Sequence, residues 1–391
     1  MKMKDMGLYI HIPFCKSKCK YCDFVSFSNK ENLIEKYVDC IKQEIRDIGI
    51  SNLYDYKDGK DNLITLKTIY IGGGTPSVIN SNYIKEIINC VRQNIKVEDN
   101  AEITIEINPG TVDNEKLKTY KEAGVNRLSI GLQSTDNNTL KRIGRIHTYE
   151  DFLNTYNIAR QLDFKNINVD LMLALPEQTI QELIDGLKKV IDLNPEHISI
   201  YSLILEEGTK LYEEIEKEKK YVLPSDDIER QMYWKTKRML EDAGYIHYEI
   251  SNFAKKGFES KHNLSCWNQE EYIGVGAAAH SYSNNVRYSN NDNIEKYISN
   301  YEKGRDIDNL IFHEKQNKES KMKEYMMLGL RKIEGVNIHL FKNKFNQDPL
   351  SLFKPEIDKL INEKLILIDG SYIKLTDKGL DLANLVWEEF V

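Results

Sequence analysis

The chain lacks any run of apolar residues of membrane-spanning length, which argues against a helical membrane protein. It also lacks an excess of positive charge. Its 54 Lys and Arg stand against 61 Asp and Glu, a net charge of −7, so no basic field invites nucleic acid. The abundant Lys, Asn and Ile are interspersed rather than blocked and read as solvated surface. The opening residues, Met1-Lys2-Met3-Lys4-Asp5-Met6, hold no long apolar segment, so no secretory signal is expected. Cysteine is scarce, with six in 391 residues. Cys40, Cys90 and Cys266 are scattered and make no disulfide framework, so the chain reads as reduced and cytoplasmic. Its length suffices for a large core and two domains.

The other three cysteines are not scattered. Cys15, Cys19 and Cys22 follow Tyr9-Ile10-His11-Ile12-Pro13-Phe14 in the spacing C-x3-C-x2-C. Chance would set such a spacing in about one chain in a thousand of this composition. Three thiolates on one short loop can hold three irons of a [4Fe–4S] cluster and leave the fourth open to a small molecule. A structural zinc site short of one ligand, or a disulfide with a spare thiol, is the plainer alternative.

Around this loop the hydrophobic pattern repeats. Short β-branched segments at 7–12, 66–71, 103–107, 127–131, 167–173 and 197–203 alternate with stretches of helical periodicity. These stretches lie near 29–48, 84–95, 117–120, 140, 149–162, 180–191 and 226–243, and a polar loop spans 55–62. Six βα units in a row predict parallel strands with right-handed crossovers, an incomplete barrel with helices outside. Ligands of such folds sit at the C-terminal ends of the strands. That rule selects the Gly72-Gly73-Gly74-Thr75-Pro76 loop, where glycines admit close backbone approach, although a tight turn would look the same. It also selects Glu106, whose alternative is a solvated strand residue like Glu102. Gln133 ends the fourth strand, Arg145 can grip a carboxylate, and Asp170 lies in an apolar strand where a bare carboxylate is costly. His11 either tunes a nearby cluster or is a satisfied core histidine. Cys40, Cys90 and Trp234 read as core.

After Ile250 the regularity stops. Residues 285–304 read as a polar loop and helix. The tail carries helices near 325–331, 338–345 and 355–363, and then two short strands flanking Asp369-Gly370, a hairpin signal. It resembles a winged-helix unit, whose usual DNA partner the acidic balance disfavours. The expected domains are 1–255, a partial barrel; 256–317, a connector; and 318–391, a small helical unit.

The cysteine motif with Tyr21 resembles the radical S-adenosylmethionine (SAM) superfamily. The longer Tyr-Ile-His-Ile-Pro-Phe-Cys run resembles its coproporphyrinogen dehydrogenase and haem chaperone group. The resemblance covers nearly the whole chain. It implies a (β/α)6 partial barrel in which Cys15, Cys19 and Cys22 hold a [4Fe–4S] cluster. SAM chelates the open iron, and an electron from the cluster cleaves it to a 5′-deoxyadenosyl radical. By position Tyr9, Gly73 and Glu106 match the first SAM site, and Tyr21, Gly74 and Thr75 line the space beside it. Gln133, Arg145, Asp170 and Ile204 match a second SAM site of the dehydrogenases, which here holds a second SAM or another ligand.

Two departures point to the haem chaperone branch. The dehydrogenases carry a further cysteine where this chain has Phe24, and they have an extended N-terminal segment before the motif. The chaperone hallmark, His-Asn-x-x-Tyr-Trp, is matched by His262, Asn263 and Trp267, with Cys266 in the tyrosine position as a smaller packing residue or a thiolate ligand. The implied activity is haem binding and transfer to an acceptor protein, with a flavodoxin or ferredoxin as electron donor. The alternatives are anaerobic oxidative decarboxylation of coproporphyrinogen III and radical chemistry on another tetrapyrrole.

Overall fold

The computed structural model describes residues 4–51, 64–302 and 310–391. The loop expected at 55–62 lies outside the described residues. Six βα repeats build the body: β1 (Lys4–Ile12), α1 (Ile34–Ser51), β2 (Ile64–Gly73), α2 (Ser81–Asn94), β3 (Lys96–Ile107), α3 (Asn114–Glu122), β4 (Arg127–Gln133), α4 (Asn137–Arg142), α5 (Tyr149–Gln161), β5 (Ile167–Leu173), α6 (Ile180–Asp192) and β6 (His197–Ser202). The turn α7 (Lys210–Tyr212) and helix α8 (Asp226–Asp242) follow. Neighbouring strands from β1 to β6 pair in parallel. This is the expected α/β partial barrel.

The alternation within each strand explains the architecture. Leu8, Ile10 and Ile12, then Ile69 and Ile71, then Ile103, Ile105 and Ile107 point outward and pack with Tyr37, Ile41, Ile84, Ile88 and Leu117 of the helices in one cluster. Each such side chain contributes about 1.5–3 kcal/mol when fully buried. The intervening residues face the lumen, and they are polar: Tyr9 and His11, Thr68 and Tyr70, Glu102 and Glu106, Ser129, Asn168 and Asp170. Side-chain caps punctuate the repeats. Thr148 with Asp151 and Thr179 with Glu182 form reciprocal capping boxes at α5 and α6.

The stretch expected as a connector is part of the same sheet. Tyr272–Val275 (β9) pairs in parallel with β1. The chain reaches it through β7 (Ile246–Glu249), β8 (Asn252–Ala254) and helix α9 (Lys261–Trp267). Strands β10 (His280–Ser283), β11 (Val286–Ser289) and β12 (Ile311–Lys315) extend that edge, and helix α10 (Ile294–Glu302) packs on α1. The order is β12-β11-β10-β9-β1-β2-β3-β4-β5-β6-β8-β7. Only β11 and α10 fall in the region read as loop and helix. The strands there are four or five residues long, too short for a clear period.

The tail has a core of its own, including Met326, Phe341, Phe353, Ile357, Ile373 and Phe390. It comprises α11 (Lys318–Gly329), β13 (Val336–Asn337), α12 (Ile338–Phe345), α13 (Pro349–Leu352), α14 (Lys354–Asn362), β14 (Ile366–Asp369), β15 (Tyr372–Leu375), α15 (Asp377–Asp381) and α16 (Ala383–Glu388). The three strands, in the order β13-β15-β14, form the wing of a winged-helix-like unit. Among the described residues no helix is long and apolar enough to cross a membrane.

Candidate functional site

The cysteine loop leaves β1 at the C-terminal edge of the sheet and is tied down at several points. Cys15 N donates to Phe27 O at 2.9 Å, and Phe27 N returns to Pro13 O at 2.7 Å. Lys20 N donates to Ile143 O at 3.0 Å. The Lys20 ammonium lies 2.7 Å from Glu214 Oε2, and Lys220 reaches the same carboxylate. Tyr21 packs against a small cluster that includes Ile143, Met172 and Leu175. The loop is thus held by the chain that follows β4 and by the chain that follows β6. The sequence reading did not include the Lys20–Glu214 tie, which joins residues 194 apart.

All three cysteines are free thiols, Cys15 buried and the other two half-buried. Among the described residues no three His, Cys, Asp or Glu side chains gather where one metal ion could be held. Polar donors face the sulfurs. Thr75 Oγ1 lies 3.6 Å from Cys15 Sγ, and Arg145 Nη1 lies 3.6 Å from Cys19 Sγ. Asn108 joins these two donors: its Nδ2 donates to Thr75 Oγ1 at 3.0 Å, and its Oδ1 accepts from Arg145 Nη2 at 2.6 Å. Arg145 also donates to the Gly131 carbonyl. Asn108 opens the Asn-Pro-Gly turn that follows β3, and its place at a strand end was a signal the sequence reading did not use.

The glycine loop fits tightly. Gly73 has φ +120°, and a Cβ there would meet the His11 ring at 2.7 Å. A Cβ on Gly74 would stand 2.9 Å from Cys15 Sγ. Glu106 accepts from Tyr70 OH at 2.8 Å and from Gly73 N at 3.1 Å. Burial nevertheless pushes its carboxyl up to about 7. Asp170 accepts from Asn168 Nδ2 at 2.8 Å and Ser129 Oγ at 3.0 Å, and burial raises it too. Tyr9 completes this wall through His11, its hydroxyl 2.8 Å from His11 Nδ1. His11 Nε2 is engaged by Val25 O at 2.9 Å. Of the two readings of His11, the geometry favours the satisfied core histidine, since both ring nitrogens are occupied, and burial lowers the pKa of the ring.

The structure therefore brings Tyr9, Gly73, Gly74, Thr75, Glu106 and Arg145 together around the cysteines. Gln133 ends β4 with φ +70°, and its amide nitrogen lies 3.0 Å from where a Gly131 Cβ would be. Ile204 is 71% exposed on the loop after β6. A further lumen group escaped sequence reasoning. Arg127, at the start of β4, is 2% exposed, its Nε has no hydrogen-bond partner, and its charge acts on the Glu106 and Asp170 carboxylates. Its charge reinforces burial in keeping His197 and His262 neutral.

The hallmark residues do not share one face. His262 turns into the lumen floor. Its Nδ1 is 2.8 Å from Thr68 Oγ1, its ring stacks on Tyr70 at 5.2 Å, and its backbone N donates to buried Glu102. Trp267 turns the other way, under the Arg331 guanidinium at 4.5 Å. Asn263 is half-buried on the turn between them. Burial pushes the Cys266 thiol up to about 11, which fits a packing residue better than a thiolate.

Residues 9–190 match the family model of the Radical SAM superfamily, and residues 316–382 match that of the HemN C-terminal domain. The chain is 37% identical to the haem chaperone HemW of Lactococcus lactis subsp. lactis over 391 residues, covering 100% of this chain and 98% of that protein. It belongs to the HemW family. The HemW of Bacillus subtilis is 38% identical over 388 residues, covering 98% of each chain. Among solved structures, the coproporphyrinogen III oxidase HemN of Escherichia coli, described as a radical SAM enzyme, superposes with a TM-score of 0.84 at 22% identity. That match covers 99% of this chain and 90% of that one. At this identity the likeness concerns the fold. This chain and HemN thus share one fold.

Proposed function

We propose that this HemW-family chain is a haem chaperone that holds a [4Fe–4S] cluster and SAM, binds haem and passes it to an acceptor protein. The observation that carries the reading is similarity over the full length to proteins named haem chaperones. Cys15, Cys19 and Cys22 are the cluster ligands. A single zinc needs its ligands around one point, whereas a cluster takes each thiolate at a separate iron. The donors from Thr75 and Arg145 suit thiolates that carry negative charge. When bound, the cluster supplies one-electron chemistry to SAM.

The residues of this chain do the rest. Gly73 and Gly74 let the backbone approach the cofactor. Glu106 accepts from the SAM amino group or ribose hydroxyls, with Tyr70 and Gly73 N fixing the carboxylate. Tyr9 and Tyr21 wall the site, while Gln133, Arg145, Asp170 and Ile204 surround the neighbouring space, where Arg145 can hold a ligand carboxylate. We place the protein in the cytoplasm, in keeping with its free cysteines, with a flavodoxin or ferredoxin as electron donor.

The second reading is the dehydrogenase, whose fold this chain shares. Phe24 counts against it: it stands in the position of the further cysteine and is 65% exposed beside the cluster loop. The test uses anaerobically reconstituted protein. Incubation with coproporphyrinogen III, SAM and reductant should give no protoporphyrinogen, while haem titration should give one equivalent bound. Protoporphyrinogen formation would promote the enzyme.

A further inference from the structure

Asn108 follows β3 directly and is half-buried beside the cysteine loop. Donor and acceptor chemistry fixes which way its amide lies. Arg145 has only donors to offer. The amide atom 2.6 Å from its Nη2 is therefore the oxygen, and the amide nitrogen faces Thr75 Oγ1 at 3.0 Å. That N–H occupies the hydroxyl oxygen as an acceptor. Thr75 then has a single proton to give, and Cys15 Sγ stands 3.6 Å away. The orientation of one amide thus decides where a hydroxyl proton points.

The same amide acts on the second donor. Both protons of Arg145 Nη2 are taken, by Asn108 Oδ1 and by the Gly131 carbonyl. The guanidinium is planar, so this grip leaves Nη1 directed at Cys19 Sγ, 3.6 Å away. Asn108 is itself held through its backbone. Its N donates to Ser77 Oγ at 3.1 Å, and its O accepts from Thr111 Oγ1 at 2.6 Å. Ser77 is fully buried, and its hydroxyl lies 2.6 Å from that of Thr111. Among the described residues no hydrogen bond joins Asn108 to a sulfur. The Ser26 hydroxyl, also near Cys15, donates to Phe24 O at 3.3 Å.

We propose that Asn108 is a positioning residue for the cluster. Through one amide it aims the Thr75 hydroxyl at Cys15 and the Arg145 guanidinium at Cys19, and so raises the reduction potential of a [4Fe–4S] cluster held there. Hydrogen bonds to ligand sulfurs stabilise the reduced form, which carries more negative charge. The proposal rests on the cluster reading above.

The test uses the full-length chain, reconstituted anaerobically and free of SAM. A potentiometric titration followed by electron paramagnetic resonance reads the midpoint. Asn108→Ala removes no charge. At the wild-type midpoint it should lower the ratio of reduced to oxidised cluster about tenfold, or about 59 mV for one electron. Thr75→Val should lower it about threefold, and in that background Asn108→Ala should add only about threefold more, because one of its two routes is already cut. Asn108→Asp keeps the acceptor for Arg145 but draws the Thr75 proton to its second oxygen. Electron–nuclear double resonance of the reduced cluster after exchange into deuterium oxide should show a deuteron coupling in the wild type that Thr75→Val removes. Asn108→Asp should remove the same coupling. Should Asn108→Ala take up no cluster, the Asn108→Asp spectrum decides. A midpoint that Asn108→Ala leaves in place would overturn the proposal alone. So would a Thr75 coupling that is absent from the wild type or survives Asn108→Asp. A wild type that takes up no iron and sulfide would overturn the cluster reading and this proposal with it.

Discussion

Gly74 leaves no room beside Cys15: a methyl group on its Cα would sit 2.9 Å from the Cys15 sulfur and 2.9 Å from the Phe14 carbonyl oxygen. Neither neighbour can move freely, since Phe14 is buried and Cys15 N is bonded to Phe27 O. Gly74→Ala should displace the first cysteine and cut cluster content by more than half. Iron and sulfide analysis checks this against the single Cys→Ala variants at positions 15, 19 and 22, each expected to fall from about four iron and four sulfide per chain to near zero. Full iron and sulfide in those cysteine variants would refute the ligand assignment.

Glu106 should give SAM binding a pH step. Its carboxyl is pushed up to about 7 by burial, against the Tyr70 and Gly73 hydrogen bonds. An N–H donated by the bound SAM amino group favours the ionised form and draws the value down, so binding releases a proton. Affinity should therefore fall as pH drops below about 7, approaching tenfold per unit, and level off above about pH 8. Glu106→Gln should flatten the profile and cost about tenfold or more at pH 8, the loss of one charged hydrogen bond. Calorimetric titration from pH 6 to 8.5 in buffers of different ionisation enthalpy reads both the affinity and the proton. A wild-type profile without a step would remove Glu106 from the SAM site.

Arg331 joins the barrel to the tail. Its guanidinium lies 4.5 Å from the Trp267 ring and 4.4 Å from the Trp387 ring, and its carbonyl accepts from Ile250 N at 3.1 Å. Arg331→Ala should lower stability by about 1–4 kcal/mol, from two lost cation–π contacts and the packing of the stem. Arg331→Lys should recover less than half, because an ammonium cannot stack flat between two rings. Thermal unfolding followed by tryptophan fluorescence measures it. An unchanged midpoint for the alanine variant would show the sandwich to be energetically idle.

Much of the barrel was legible because its strands carry a strict alternation. Ile103, Ile105 and Ile107 with Glu102, Thr104 and Glu106 between them announce both a strand and its two faces. The cysteine spacing and the glycine loop stand at strand ends, where position alone marks them. What stayed hidden depends on pairing between distant segments. Tyr272–Val275 could not be assigned to the barrel before its neighbour β1 was known. The hairpin of β10 and β11 turns through Asn284 and Asn285, both with positive φ. An Asn-Asn pair between short strands is a usable hairpin signal, but it lay in a stretch read as loop. The stack of the His280 and His313 rings could not be read at all, since it joins residues two strands apart through a bulge that no local pattern encodes. His262 is the converse case: its motif drew attention to chemistry, and what no local pattern gave was the packing of its ring against Thr68 and Tyr70.

The division of each strand into an aliphatic outer face and a polar inner face has a genetic corollary. Along one strand the codons for Leu8, Ile10 and Ile12 govern whether the protein folds, and those for Tyr9 and His11 between them shape the chamber. A single-base change therefore falls on one duty or the other. The lumen can drift toward new ligands without loosening the shell, so long as the outer residues keep their volume. Arg127, buried in that lumen with its charge acting on Glu106 and Asp170 and its Nε without a hydrogen-bond partner, marks where such drift would register first: whatever comes to occupy the chamber meets a positive charge already in place.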